Sequence, residues 1–286
     1  MKADFTAEGP VRPSDPSVWP VGASVSLDAL KGDGIDIGAF RQAGIHCVEL
    51  AWRNDVIDLL DPVNERLVES FVGKIREMGM EVWTMHLPYG PEWDVSAVDS
   101  AASGAAIGRH VRLLSLARRW NIRNAVLHPS WEPIGDKERP ARRAACKRSL
   151  SALAEEAERL QVRIAVECLP RTCLGNTSAE MTELVGADDR LGVCCDVNHL
   201  VRETPQHFIR RLGPRIVTVH MSDNDGTDEK HWLPGKGVID WNEVIGALAE
   251  NGYRGPFLFE VRKPDPYELT ACWRRLLHDY DRDGHK

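Results

Sequence analysis

Short apolar runs alternate with amphipathic stretches along this chain. The runs are VGASVSL (21–27), HCVELAW (46–52), EVWTMHL (81–87), NAVLHP (124–129), RIAVECL (163–169), LGVCCDV (191–197), RIVTVHMSD (215–223) and GPFLFEV (255–261). Each is short and rich in Val, Ile, Leu or Cys, as expected of strands buried on both faces of a parallel sheet. Helical spacing separates them: Ile107, Val111 and Leu114; Cys146, Leu150, Leu153, Ala157 and Leu160; Leu269, Trp273, Leu276 and Tyr280. Gly44, Gly79 and Gly252 stand just before the next apolar run, where a helix would end in a left-handed cap. Eight strands alternating with helices predict an α/β fold, a (β/α)8 TIM barrel in a single domain over residues 21–286. A doubly wound open sheet is the competing arrangement. Its usual mark is a G-x-G-x-x-G loop after the first strand, and GDGIDIG (32–38) does not match it.

The first twenty residues, MKADFTAEGPVRPSDPSVWP, are proline-rich and lack an apolar core, which predicts a flexible N-terminal arm over 1–20 and no secretion signal. No apolar run reaches the ~18 residues that a membrane-crossing helix needs. Seven scattered cysteines, an odd number, fit a reduced, cytoplasmic protein better than a disulfide framework. The net charge of −7 argues against a general nucleic-acid or anionic-membrane binder. No decisive apolar patch marks a homo-oligomer interface, and the oligomeric state is left open.

The chemistry lies where the strands end. Glu49, His86, His128, Glu167, Asp196, His220 and Glu260 close successive runs, with His199 three residues after Asp196. In a barrel these positions share one mouth, the face that carries the active site. A buried carboxylate costs several kcal/mol unless it is paired or binds a cation. Several converging there would repel one another, and a divalent metal removes that cost. Oxygen and imidazole donors without thiolate suit one Mn, Zn, Co or Mg ion, or Fe. Cys168 and Cys195 adjoin candidate ligands in sequence, so on a strand they should face the other way.

The motifs VECLP, CCDVNH, VHMSDN, HWLPGKGVIDW and FLFEV, in that order, resemble the xylose isomerase-like TIM-barrel superfamily. That group includes sugar isomerases and epimerases, inosose-type dehydratases and a branch of apurinic/apyrimidinic endonucleases. The resemblance implies that Glu167, Asp196, His220 and Glu260 bind a single metal. It also implies that His199 contacts a substrate oxygen or the metal, and that His86, His128 and His231 line the pocket. Asn176 matches a polar position after strand 5. Asp223 and Arg262 complete the expected substrate-binding set, Arg262 with Arg171 and Lys236 as candidates for an anionic group. Asp225 and Asp228 read as a solvated loop. Pro234, Gly235 and Gly237 would turn the chain into a helix beginning near Asp240 and Trp241.

The activity so implied is a metal-dependent isomerase or epimerase of a small-molecule sugar. Glu167 and Glu260 would act as the acid–base pair, one taking the proton beside a metal-held carbonyl to give an enediolate and the other returning one. Trp52, Trp83, Trp93, Trp131 and Trp232 are candidates for stacking on sugar faces. The alternative is a zinc-dependent apurinic/apyrimidinic endonuclease of the same fold, for which Glu229 stands where such enzymes carry an Asp. Two departures bear on the substrate: the loop after His220 lacks an Arg, and the PG-x-G turn holds Lys236 where an acid is usual.

Overall fold

The computed structural model describes residues 12–282. Eight strands and eight α-helices alternate along them. The strands are β1 (Val21–Ser26), β2 (Cys47–Ala51), β3 (Glu81–His86), β4 (Asn124–Leu127), β5 (Arg163–Glu167), β6 (Gly192–Asp196), β7 (Ile216–His220) and β8 (Phe257–Phe259). The helices are α1 (Ile37–Ala43), α2 (Pro62–Glu77), α3 (Ser100–Arg119), α4 (Arg139–Arg159), α5 (Ser178–Val185), α6 (Pro205–Leu212), α7 (Trp241–Glu250) and α8 (Pro266–Arg282). All strand pairs are parallel, in the order β7-β6-β5-β4-β3-β2-β1-β8. A parallel bridge between Met221 and Phe259 closes the cylinder, with the Met221 N–H donating to the Leu258 carbonyl and the Glu260 N–H to the Met221 carbonyl. The sheet is therefore a barrel, and the open-sheet alternative falls away.

The period-2 rule sorts the side chains. Val48, Leu50, Leu127, Val166, Val193 and Val219 belong to the large core between strands and helices. Val126, Ala165 and Cys194 form a separate small cluster, each two residues before His128, Glu167 or Asp196. Small residues thus fill the barrel beneath the polar mouth. Cys168 and Cys195 lie in the outer core, on the face opposite their neighbours Glu167 and Asp196. The helices turn the stripes their spacing predicted toward the core: Cys146, Leu150, Leu153 and Ala157 of α4 are buried, while Ile107, Val111 and Leu160 are partly buried against it.

Local signals set the helix ends. Asp36, Asp61, Asp99, Thr177 and Asp240 each cap a helix by accepting a first-turn N–H. Gly44, Gly79 and Gly252 take φ of 96°, 70° and 69°, a left-handed conformation that glycine adopts without strain.

Part of the expected arm is docked. Residues 1–11 lie outside the described residues. From Ser14 onward the chain packs on the barrel: the Ser14 N–H donates to the Ala249 carbonyl, and Trp19 stacks on Trp273 at 6.2 Å and meets Tyr253 edge-on at 5.5 Å. The prolines suggested a loose segment, but burial of one large indole outweighs the missing donors. Trp19→Ala should therefore lower stability by about 3 kcal/mol in urea unfolding. A loss under about 0.5 kcal/mol would mean that the contact contributes nothing.

Candidate active site

His220 organises the mouth. It ends β7, is fully buried, and both ring nitrogens are engaged. Nδ1 lies 3.0 Å from Glu167 Oε1, 3.6 Å from Glu260 Oε2 and 3.8 Å from Asp196 Oδ2. Nε2 lies 3.0 Å from Glu49 Oε2, which also accepts from Thr84 Oγ1 at 2.8 Å. Glu49 fixes the back of the ring, so that Nδ1 faces the carboxylates, as outer-shell acids do for metal-binding imidazoles. The strand-end rule finds Glu49, but the expected ligand set gave it no role.

Glu167, Asp196, His220 and Glu260 each offer one donor atom within 4.8 Å of the others. Asp196 Oδ2 and Glu260 Oε2 are buried and accept no hydrogen bond among the described residues. Unsatisfied buried carboxylate oxygens aimed into an oxygen-and-imidazole set fit a hard or borderline divalent cation.

Two further histidines flank Glu167. His128 Nε2 lies 2.9 Å and His86 Nε2 3.1 Å from its Oε2. Burial alone would raise the Glu167 carboxyl pKa, but the adjacent His128 and His220 outweigh burial and hold it well below the usual range. For Glu260 the balance is reversed. Burial, with Asp196, Glu167 and Glu49 nearby, pushes its carboxyl well above the usual range despite His220. The His86 imidazole is pushed up to about 9, since its contact with Glu167 exceeds the opposing effect of burial.

On the other side of Asp196, His199 Nδ1 meets the Cys168 carbonyl at 2.9 Å and Nε2 meets Glu229 Oε2 at 2.8 Å. The His199 bond holds Glu229 down at about 2 against the effect of burial, assisted by Arg171 at 3.0 Å. His231 takes φ 51° and approaches Glu260, its Nδ1 3.2 Å from the backbone carbonyl and 3.5 Å from Oε2. His199, Glu229 and His231 form a second compact donor group, and His86, Glu167 and His220 a third that shares Glu167 and His220 with the first. Sequence order pointed to Glu229, but only the fold shows that it pairs with His199.

Of three further expected substrate residues, two hold loops and one lies on the rim. Asp223 is fully buried and does not face the centre. Oδ2 accepts from the Gly235 N–H at 2.8 Å and Trp241 Nε1 at 3.0 Å, and Oδ1 from the Asn224 and Ile239 N–H groups. It pins the loop from β7 to α7, and Gly237 has no side chain because a Cβ would meet the Asn224 carbonyl at 2.0 Å. Asn176 is likewise committed to its own loop, donating to the Arg171 carbonyl and accepting from Arg139. Arg262 is exposed on the rim, its N–H bonded to the His231 carbonyl. Asp223 and Asn176 satisfy loop backbone groups through their side chains, which sequence spacing does not distinguish from facing a ligand, whereas the Arg262 side chain is left exposed on the rim. Asp225 and Asp228 behave as a solvated loop: Asp225 accepts from Thr227 and pairs with Lys230, and Asp228 pairs with Arg171.

The tryptophans divide. Trp52 and Trp93 are buried, and Trp83 donates to Thr218 Oγ1 at 3.1 Å. Trp131 and Trp232 are 37% and 41% exposed. Tyr89 stacks on His128 at 4.4 Å and on Trp131 at 6.0 Å, so an aromatic stack leads from the buried centre to solvent.

A family model described as a xylose isomerase-like TIM barrel matches residues 37–277. The chain belongs to that family. Among curated relatives of this xylose isomerase-like protein, the inosose isomerase of Halalkalibacterium halodurans is 28% identical over 137 residues, 44% of this chain and 49% of the relative. The fructoselysine 3-epimerase of Shigella flexneri is 26% identical over 148 residues, 47% and 53% of the two chains. The match thus spans about half the length of these relatives. A solved D-tagatose 3-epimerase-like protein superposes with a TM-score of 0.78 at 21% identity, over 91% of this chain and 98% of the other. An L-ribulose 3-epimerase gives 0.72 at 18% identity, over 93% and 97%. At these identities the superpositions speak for the fold.

The loop role of Asp223 can be separated from a ligand role. Asp223→Ala should cost on the order of 3 kcal/mol of stability in urea unfolding, because it strands several buried donors, and should leave the affinity of the folded protein for added Mn²⁺ unchanged. Loss of that affinity without loss of stability would return Asp223 to the centre.

Proposed function

We propose that this xylose isomerase-like protein is a divalent-metal-dependent isomerase or epimerase of a ketose or related polyol-derived sugar. The observation that carries the reading is the mouth itself. Three carboxylates and one imidazole converge there within 4.8 Å, with unsatisfied oxygens on Asp196 and Glu260. The similarity to an inosose isomerase and a fructoselysine 3-epimerase supports the same class. All seven cysteines are free and buried, which suits work in a reducing cytoplasm.

Glu167, Asp196, His220 and Glu260 would hold one Mn, Zn, Co or Mg ion. When bound, it supplies Lewis acidity that makes a C–H beside a carbonyl more acidic. The residues perform the proton transfers. Glu167 is the base, kept ionised by His128 and His220 beside it. Glu260 would be the acid; before an ion binds, burial and the neighbouring carboxylates favour its protonated form. Two carboxyls whose environments drive them apart in this way can divide the roles of base and acid. They rise from the ends of β5 and β8 and both approach Nδ1 of His220, so a sugar held over the centre would lose a proton to one and regain it from the other. His86, His128, His199 and His231 would hold substrate oxygens, and Trp131 and Trp232 offer exposed rings for an apolar sugar face.

A second reading, a zinc-dependent apurinic/apyrimidinic endonuclease, is favoured by one observation: the three donor groups together would suit a cluster of metals rather than one. Elemental analysis of the purified protein separates the two. About one Mn, Co, Mg or Zn per chain supports the isomerase, whereas two or three tightly held zincs move the endonuclease ahead. Chelation should lower the melting temperature, since an ion that binds only the folded chain at a hundredfold excess over its Kd contributes about 2.7 kcal/mol.

The base assignment has its own test. Glu167→Gln should keep the fold and reduce exchange of substrate protons with deuterated water at least about a hundredfold, in the range of a lost general base. Unaltered exchange would remove Glu167 from that role.

A further inference from the structure

A groove of about 230 Å³ opens beside the mouth, between the loop after β7 and the loop after β8. Four cationic side chains line it, Lys230, Lys236, Arg262 and Lys263, against two acidic ones, Asp265 and Glu268. Lys230 is neutralised by Asp225 at 3.1 Å. Asp265 caps α8, its Oδ1 accepting from the Tyr267 and Glu268 N–H groups. Lys236, Arg262 and Lys263 have no carboxylate within ion-pair distance among the described residues, although the chain as a whole carries −7. Exposed cations gathered along one concavity focus a positive potential there that attracts an anion.

The backbone around the groove is committed to this arrangement. His231 and Lys263 are non-glycine residues in the left-handed region, at φ 51° and 52°, and the Arg262 N–H ties the two loops by donating to the His231 carbonyl at 3.2 Å. Such conformations cost on the order of 1 kcal/mol each and persist where the surroundings fix them. His231 lines the groove and also touches Glu260, so the groove is continuous with the metal-ligand set. Lys236 belongs to the same arrangement, because it sits in the turn that Asp223 pins through the Gly235 N–H.

We infer that the groove formed by Lys236, Arg262 and Lys263 binds an anionic group, a phosphate ester or a carboxylate, at the end of the substrate remote from the reacting carbon. That the anion belongs to the substrate rests on the isomerase reading; that the groove binds anions does not. The guanidinium of Arg262 can bind two anion oxygens side by side, and the two ammonium groups supply charge without fixed geometry. The substrate would then be a sugar phosphate or sugar acid, attracted to this side of the mouth and oriented by its charged tail.

The test is calorimetric titration of inorganic phosphate into the protein as purified, metal included. The wild type should bind it saturably, and the double variant K236Q/R262Q about ten-fold more weakly or worse, with an unchanged melting temperature, because a charge-assisted contact contributes enough for such a factor. Equal affinity in the double variant would put phosphate elsewhere, on the metal for instance, and overturn the proposal, as would no saturable binding in the wild type. Competition identifies the source. A ketose phosphate that displaces phosphate at lower concentration than the matching sugar acid indicates an ester, and the reverse order indicates a carboxylate. If neither displaces it, the substrate assignment fails. No turnover is involved, so groove binding without proton exchange would sink the isomerase reading alone, and exchange without groove binding would sink this one alone.

Discussion

The constraint that governs this molecule is the gathering of four carboxylates, three buried and Glu260 partly so, and several imidazoles at one end of a barrel. Glu49, Glu167, Asp196 and Glu260 would repel one another without compensation. His220 contacts or approaches all four, and His86 and His128 share the outer oxygen of Glu167. The imidazoles offset part of the repulsion, and oxygens are left over on Asp196 and Glu260 where the proposed cation would offset the rest. Much of what surrounds the centre holds these groups at fixed separations.

Loops do that work with buried ion pairs and carboxylate hubs. Asp223 gathers four donors and fixes the turn after β7. Arg139 binds Glu180 and the carbonyls of Thr172 and Cys173, which sets the path after β5. Arg142 pairs with Asp94 and reaches the Trp131 carbonyl, joining the loops after β3 and β4. The same device recurs: one charged side chain satisfies several backbone groups that a loop cannot pair within itself. The mouth is therefore surrounded by polar residues with two distinct tasks, holding loops and facing the centre.

This duality explains what the sequence could and could not tell. Strand and helix periodicity is a property of each segment, so the eight strands, the glycine caps and the side on which Cys168 and Cys195 lie were all legible. The convergence of strand-end acids and histidines followed once the barrel was inferred, because the fold alone brings those ends together. Asp223 and Asn176 hold loops, a task the sequence did not reveal, since a residue that satisfies a loop and one that faces a ligand share type and spacing. Glu49 was visible as a strand-end acid, but its place behind His220 depends on the distance across the barrel between β2 and β7. Trp19 was lost in a proline-rich segment, where composition hides one large buried ring.

The seam between β7 and β8 gives the cylinder an uneven stiffness. The other neighbouring strands are joined by ladders of three or more residues, whereas here one bridge at Met221 closes the wall. His220 and Glu260 stand directly beside that bridge, on opposite sides of the join. The span between the imidazole and the carboxyl therefore crosses the join with the shortest ladder, where, among the described residues, the tie is supplemented only by loop bonds from His231 to Glu260 and Arg262. The shortest ladder of the barrel thus runs through the middle of its donor set, between His220 and Glu260.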